Sequence, residues 1–387
     1  MLQGETAIAM TGETVLIAAF SGRALAQSAR RAGFAPLVVD AFGDADTREA
    51  AEHYAQLPGA VRTGFSAKSL FAAIDGLIAQ AGNRPIGIVV GSGFEDRPKL
   101  IDSLDKRYRL LGTRAQTVAE LKDPGRFFPL LKQLGIAHPQ TSLELPERRD
   151  GWIAKRAGAA GGAHIRDLTA LRKPHARHYF QHRLQGDPMS LLAIAAQGGV
   201  AMEFSRQWVN PSARRPFRYG GAAISDYAEA PHEQQMVAAA ATLIELLDPV
   251  GLVSFDFIVS DGAAYLLEVN PRPGATLDVF DDLKGNLFRA QVEAGLGKGL
   301  WQERELPNVQ SRACALLYAD RGALRAADID WPEWVSDRPM PGSAIAAEQP
   351  IATVRADGAS AQEAEALVRA RLSTLADLVY TMFQNKT

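Results

Sequence analysis

Gly251-Leu-Val-Ser-Phe-Asp-Phe-Ile-Val-Ser-Asp-Gly-Ala-Ala-Tyr-Leu-Leu-Glu-Val-Asn-Pro-Arg-Pro273 is the stretch on which the reading of this chain turns. Two apolar runs flank Asp261-Gly262, which is a hairpin signal. Each run nevertheless carries acid: Asp256 in the first, Glu268 with Asn270 in the second. Carboxylates inside apolar strands cost desolvation energy unless a cation compensates. A strict two-residue turn would pair Asp256 with Leu267 and send Glu268 to the other face, whereas an odd-length connection pairs Asp256 with Glu268. The odd-length turn is expected, because period 2 then puts Asp256, Glu268 and Asn270 on one face. Three oxygen-bearing side chains on a rigid hairpin suit magnesium, which takes oxygen ligands and shares itself with substrate phosphates. The competing reading is a solvated edge with stray acids. Asn270-Pro-Arg-Pro273 weighs against it, since this turn holds Arg272 beside the acids, where a guanidinium can meet a phosphate in a fork.

Two upstream segments add to the hairpin. In Trp152-Ile-Ala-Lys-Arg-Ala-Gly-Ala-Ala-Gly-Gly-Ala-His-Ile-Arg166 a short strand carries Lys155, and Gly158, Gly161 and Gly162 then make a loop with little side-chain bulk. Such a loop can lay backbone N–H groups on a phosphate chain while Lys155 supplies a point charge. Taken alone, it reads equally well as a glycine hairpin with a surface lysine. In Tyr179-Phe-Gln-His-Arg-Leu-Gln-Gly-Asp-Pro-Met-Ser190 an extended run ends at a turn. A strand leaving a sheet here can offer backbone groups and the Gln181 amide to an adenine edge, with Leu184 against its face. An ordinary strand and turn is the plainer alternative.

The remainder is a soluble-type globular composition. The 387 residues point to two or three domains, and 47% hydrophobic with 22% charged residues excludes a disordered chain or a disulfide-stapled mini-protein. With 42 basic against 44 acidic residues the net charge is -2, so there is no overall basic field for nucleic acid or an anionic membrane. The lone Cys314 makes no intramolecular disulfide, which points to a reducing, cytoplasmic setting. No apolar run approaches the roughly 20 residues of a membrane span, and Glu5 and Glu13 spoil a secretory signal. The strand Thr14–Phe20, the helix Ser21–Ala32, the strand Pro36–Asp40, the helix Ser69–Ala81 and the strand Pro85–Val90 alternate as a small open α/β domain. Gly91-Ser-Gly93 follows a late strand and lacks the third glycine of a dinucleotide fingerprint, and Gly297-Lys298-Gly299 lacks the Ser or Thr of a Walker loop. Helical spacing runs over Val118–Gly135, over Pro231–Leu247, and from about Ala361 to Phe383. In the last of these Val368, Leu372, Leu375, Val379 and Met382 form an apolar stripe for packing on a core.

These segments, in this order, resemble the ATP-grasp superfamily, carboxylate-amine ligase type. The resemblance spans roughly residues 14 to 295 and extends back to Leu111-Gly-Thr113, Lys122-Asp-Pro124 and Gly135-Ile-Ala-His-Pro-Gln-Thr141, with Glu268-Val-Asn-Pro-Arg272 its most specific piece. It implies α/β and α+β architecture: an N-terminal open α/β domain over 1–115, a small ATP-binding lobe over 116–190, a large lobe with the metal site over 191–300, and a C-terminal extension over 301–387 packing on the core. It also implies ATP and magnesium, with manganese as an alternative, and formation of an amide from a small carboxylate and an amine through an acyl phosphate. A glutamate–aromatic amine ligase is one example of that chemistry. A biotin-carboxylase-like enzyme making carboxyphosphate and a nucleotide sensor without turnover are the competing classes. A homo-oligomer is left open.

By resemblance Lys122 and Lys155 match the lysines that touch ATP phosphates, and Gly158, Gly161 and Gly162 the loop that closes over them. Gln181 and Leu184 match the adenine contacts, and Asp256, Glu268 and Asn270 the magnesium ligands. Arg272 matches a basic residue near the transferred phosphoryl group and, with Lys155, is the expected catalytic pair. Ser254 stands where D-alanine:D-alanine ligase-like enzymes place an arginine. Pro188 stands near the position of a ribose-binding glutamate, with Asp187 as a substitute. The loop Phe204–Arg218 carries Arg206, Arg214, Arg215 and Arg218 with no acid, and reads either as a substrate-recruiting loop or as a solvated surface.

Overall fold

Burial on both faces makes the first strands parallel and central. In β1 (Thr14–Ala18) Val15 and Ile17 face one cluster of apolar side chains and Leu16 and Ala18 another. With β2 (Ala35–Asp40), β3 (His53–Gln56) and β4 (Ile88–Val90) it forms a parallel sheet in the order β3-β2-β1-β4. This computed structural model describes residues 12–197, 199–225, 229–299 and 311–384. Glu5 and the start of the C-terminal extension expected at 301 fall outside the described residues.

A second, antiparallel sheet comprises β5 (Thr141–Ser142), β6 (Trp152–Arg156), β7 (Arg166–Asp167) and β8 (His178–His182), in the order β5-β8-β6-β7. The chain then enters an eight-stranded sheet. Its members are β9 (Asp187–Ala196), β10 (Gly199–Val209), β11 (Tyr219–Ser225), β12 (Gly251–Ser260) and β13 (Ala263–Asn270), followed by β14 (Arg312–Tyr318), β16 (Val335–Ser336) and β18 (Pro350–Asp357). The order is β13-β12-β9-β10-β11-β14-β18-β16, so the C-terminal strands continue the sheet that carries the hairpin. The short strands β15 (Leu324–Arg325) and β17 (Ala344–Ile345) pair apart from it.

The helix Pro231–Leu247 covers the hairpin end of the large sheet through Met236, Ala240 and Leu243. The helix Ala361–Gln384 covers the other end. Of the apolar stripe, Val368, Leu375 and Val379 are fully buried in that core, while Met382 is exposed and Phe383 is buried instead. The helical run over Val118–Gly135 is two helices, Ala115–Lys122 and Pro124–Gln133, because Asp123 turns its side chain to cap the second by accepting from Gly125 N at 2.9 Å. Among the described residues no helix is long and apolar enough to cross a membrane.

The hairpin itself corrects one expectation. Ser260 pairs with Ala263, so the connection is only Asp261-Gly262, with φ of 50° and 77° respectively, and not an odd-length turn. Positive φ at both positions is the twist that suits a right-handed hairpin. Asp256 still pairs with Glu268, because the register shifts between Asp256 and Phe257 and leaves Leu267 as an extra residue on β13. On a regular strand Leu266, Glu268 and Asn270 would share one face. The bulge lets Leu266 stay in the core, where Val269 also packs, while Glu268 and Asn270 pair with Asp256 and Ser254.

A Cβ on Gly262 would meet no atom within 4 Å, so its cost is backbone strain alone. Gly262→Ala is expected to lower unfolding free energy by about 1–2 kcal/mol in urea titration. An unchanged midpoint would mean the turn conformation is not required.

Candidate functional site

Five side chains from three parts of the chain meet beside the bulge. Asn270 Nδ2 donates to Asp256 Oδ2 at 2.9 Å and to Glu268 Oε1 at 3.2 Å, which joins the two carboxylates. Lys122, the last residue of its helix, donates from Nζ to Asn270 Oδ1 at 2.6 Å and lies 4.0 Å from Glu268 Oε2. Lys155 is buried on β6, opposite to the core-facing Ala154, and donates to Gln181 Oε1 at 3.4 Å. Its ammonium lies 5.7 Å from the Tyr179 ring centre. Gln181 Nε2 in turn reaches Thr141 Oγ1 at 3.3 Å.

The electrostatics follow from crowding two acids. Burial, and then the neighbouring Glu268 charge, push the Asp256 carboxyl up. Burial opposes ionisation of Glu268 too, but Lys122 and Lys155 outweigh it and hold that carboxyl down. For Lys122 burial wins and lowers its proton affinity, against the pull of Glu268 and Glu95. Lys155 goes the other way: burial is its largest influence, yet Tyr179, Glu268 and Asp256 together hold it charged.

Among the described residues no three His, Cys, Asp or Glu side chains group as a metal site. The set here is two carboxylates and one amide, all oxygen donors, which fits a hard cation that completes its shell with phosphate oxygens rather than a protein-only cage. Ser190 and Gln207, not singled out from sequence, hold Asp256 Oδ1 at 2.7 and 3.4 Å.

Arg272 is fixed from the N-terminal domain. Its Nε donates to Glu95 Oε1 at 2.7 Å, and Glu95 Oε2 accepts from the backbone N–H groups of Gly93 and Phe94 at 2.7 and 3.0 Å. Glu95 is only 5% exposed. The Gly91-Ser-Gly93 turn thus neither binds a dinucleotide by motif nor merely reverses the chain, but presents an acid to Arg272. Its place at the carboxyl end of a parallel strand is the signal that sequence reading passed over.

Gly158, Gly161 and Gly162 all have positive φ, at 71°, 73° and 68°, and lie in the loop from β6 to β7. A Cβ on Gly162 would collide with the Phe217 carbonyl oxygen, and Tyr219 N donates to Gly161 O at 3.1 Å, so the loop rests on the large sheet. Leu184 lies in the connection from β8 to β9, half-buried, with no bond to the acid cluster. Ser254 is buried and pairs with Asn270, and Pro188 pairs with Ile258, while Asp187 is exposed. The arginines of the Phe204–Arg218 loop do not converge. Arg218 is buried against Asp320 and stacked over Tyr318, Arg206 pairs with Glu365, and Arg215 pairs with Glu348.

One family profile matches a span that holds every site residue from Lys122 to Arg272. Residues 121–276 match an ATP-grasp domain. Among solved structures, an ADP complex of N5-carboxyaminoimidazole ribonucleotide synthetase superposes on this chain with a TM-score of 0.67 at 14% identity, covering 95% of this chain and 98% of the other. A biotin carboxylase from Campylobacter jejuni gives 0.68 at 14% identity, covering 93% and 90%. In sequence, the carbamoyl phosphate synthase large chain of Caldanaerobacter subterraneus is 24% identical over 247 residues, 56% of this chain and 22% of that protein. The C-terminal section from Methanopyrus kandleri is 24% identical over 254 residues, 58% and 46%. The chain therefore aligns with less than half the length of these curated relatives.

Burial raises the proton affinity of Glu95, but Arg272 and Lys122 overcome this and hold its carboxyl below the ordinary 4.5. A group depressed in the folded state stabilises above its unfolded value, and that contribution fades as pH falls through the folded value. Urea titrations of the wild type are therefore expected to show a loss of stability on acidification from about pH 5 downward, part of which Glu95→Gln removes. At neutral pH Glu95→Gln is expected to cost about 3 kcal/mol, by leaving the Arg272 charge unpaired. A variant as stable as wild type at pH 7 would show that the pair carries no structural load.

Proposed function

We propose that the chain is an ATP-dependent carbon–nitrogen ligase, which activates a small carboxylate as an acyl phosphate and passes the acyl group to an amine, releasing ADP and phosphate. The observation that carries this reading is the convergence of Asp256, Glu268 and Asn270 with Lys122, beside a buried Lys155 and an Arg272 fixed by Glu95. A passive nucleotide sensor has no need of a pre-oriented guanidinium beside the acids. We take 1–115, 116–190, 191–300 and 301–387 as the working units of the protein.

In the first step a carboxylate oxygen bonds to the γ-phosphorus, the bond to the bridging oxygen breaks, and ADP leaves with the electron pair. Like-charge approach and charge spread over the equatorial oxygens make up the barrier. Magnesium, or manganese in its place, held by Asp256, Glu268 and Asn270 would neutralise phosphate oxygens. Lys155 and Lys122 add ammonium charge to the phosphate side, and Arg272, kept in one orientation by Glu95, offers its remaining N–H groups to the transferring phosphoryl group. Gln181 and Leu184 border the adenine end. The glycine loop, resting on the large sheet, shields the acyl phosphate from water. In the second step the amine nitrogen bonds to the acyl carbon, phosphate departs with its bonding pair, and the nitrogen loses a proton.

Carboxyphosphate formation from bicarbonate is the second reading. It is favoured by structural likeness over more than nine-tenths of the chain to a biotin carboxylase and to an N5-carboxyaminoimidazole ribonucleotide synthetase. ADP release with magnesium and pools of amino acids, amines and bicarbonate separates the two. The ligase reading expects turnover that needs both a carboxylate and an amine, and turnover with bicarbonate alone would replace it. Binding of ATP without turnover in any pool would leave the sensor. Glu268→Gln is expected to lower ADP release by at least about 10²-fold, the scale for loss of one charge-stabilising group, and full activity in that variant would remove the metal assignment.

A further inference from the structure

Glu95 and Asp96 are neighbours on the loop that follows β4, and each holds an arginine from a different part of the site. Glu95 fixes Arg272 beside the acids. Asp96 Oδ2 accepts from Arg177 Nη1 at 2.9 Å, and Arg177 Nη2 also donates to the Ala157 carbonyl at 3.1 Å. Ala157 N returns a bond to the Arg177 carbonyl at 3.0 Å. Arg177 thus clasps the residue just before the first loop glycine, while its own backbone leads into β8. Next along, Gly158 lies so close that a Cβ would sit 2.7 Å from Asp96 Cβ and 2.8 Å from its Cα. The root of the glycine loop therefore rests on the N-terminal domain, whereas Gly161 and Gly162 rest on the large sheet.

The loop that carries the two acids is itself held firmly. Phe94 is buried and stacks on Phe65 with ring centres 5.0 Å apart, Gly93 N and Phe94 N both donate to Glu95, and Pro98 starts a helix directly after Arg97. Arg97, the other cation beside Asp96, lies 3.6 Å from Oδ1 and leaves Oδ2 to Arg177. A side chain on a packed support fixes the position of what it binds. An acyl phosphate lasts only while its cover excludes water. Resting on the ligase reading, we propose that Asp96 is a positioning residue: through Arg177 it pins the root of the glycine loop to the N-terminal domain. The cover over the phosphates and the arginine at the phosphoryl group are then set from one loop, by two consecutive acids. With the Arg177 side chain 45% exposed, the pair acts on the few-fold scale of a partly solvated ion pair.

Two measurements test this. Hydrogen exchange of the amides of residues 157–163, with and without magnesium ATP, reads the cover directly. The ratio of ADP released to amide formed, with pools of amino acids and primary amines, reads the loss of acyl phosphate to water. The wild type is expected to gain protection over 157–163 when magnesium ATP is added. Asp96→Asn and Asp96→Ala are expected to raise both exchange in the presence of ATP and the ADP-to-amide ratio by about 2- to 5-fold, with the urea midpoint unchanged. Arg177→Ala is expected to do at least as much, because it also frees the Ala157 carbonyl, and adding Asp96→Ala to it is expected to change nothing further. Wild-type exchange and ratio in both Asp96 variants, further loss in the double variant, or no ATP-dependent protection of the wild-type loop overturns the assignment. So does a rise in exchange spread over the whole chain with a lowered urea midpoint. Absence of amide with any pool overturns the ligase reading instead, and hydrogen exchange alone then decides whether Asp96 pins the loop.

Discussion

Two half-buried carboxylates side by side are the constraint around which this protein is arranged. Neither Asp256 nor Glu268 could keep its charge away from water without help, and the help comes from well separated places in sequence: Lys122 from a helix, Lys155 from the small sheet, Ser190 from the strand next door. The cluster therefore ties the small and large sheets together electrostatically. Removing any one cation would leave half-buried carboxylates uncompensated, so the geometry of the site and the docking of the two sheets are one problem.

The N-terminal domain is bound into the same arrangement at two points. Glu95 reaches Arg272 just after the hairpin, and Arg23 forms buried pairs with Asp278 and Asp337, which lie beyond the hairpin and in the C-terminal region. The cores agree with the charges, since Val15, Ile17 and Phe34 share one apolar cluster with Leu252, Leu277 and Phe288. Thr113 adds a two-way bond to the Val250 backbone at 3.1 and 3.2 Å. Such a shared interior makes relative movement of the N-terminal domain and the large sheet costly. The small sheet, with its own cluster around Ala154, Leu168 and Phe180, is the more independent part.

Much of this was legible because it depends on local pattern. The helix Pro231–Leu247 is read to the residue, since Pro opens it and apolar spacing runs through it. The pairing of Asp256 with Glu268 is read from the demand that acids share a face, but its means is not. A bulge leaves no mark in composition, and Asp261-Gly262 makes a tight two-residue turn in place of the expected odd-length one, so the shift had to occur further down the ladder. Glu95 escaped because its meaning depends on a partner 177 positions away. The arginines of the Phe204–Arg218 loop look alike in sequence and separate only through acids contributed by later elements.

The bulge at Leu267 also bears on how the molecule survives at high concentration. β13 is the outermost strand of a large sheet, and an outer strand with free backbone groups invites a strand from another molecule. Here the ladder is interrupted at Leu267, Glu268 puts a charge beside the interruption, and Leu266 N donates to the Ala137 carbonyl at 2.8 Å instead of to a newcomer. The irregularity that turns a carboxylate toward the site thus sits on a strand whose outer edge is already engaged at Leu266 by the Ala137 carbonyl.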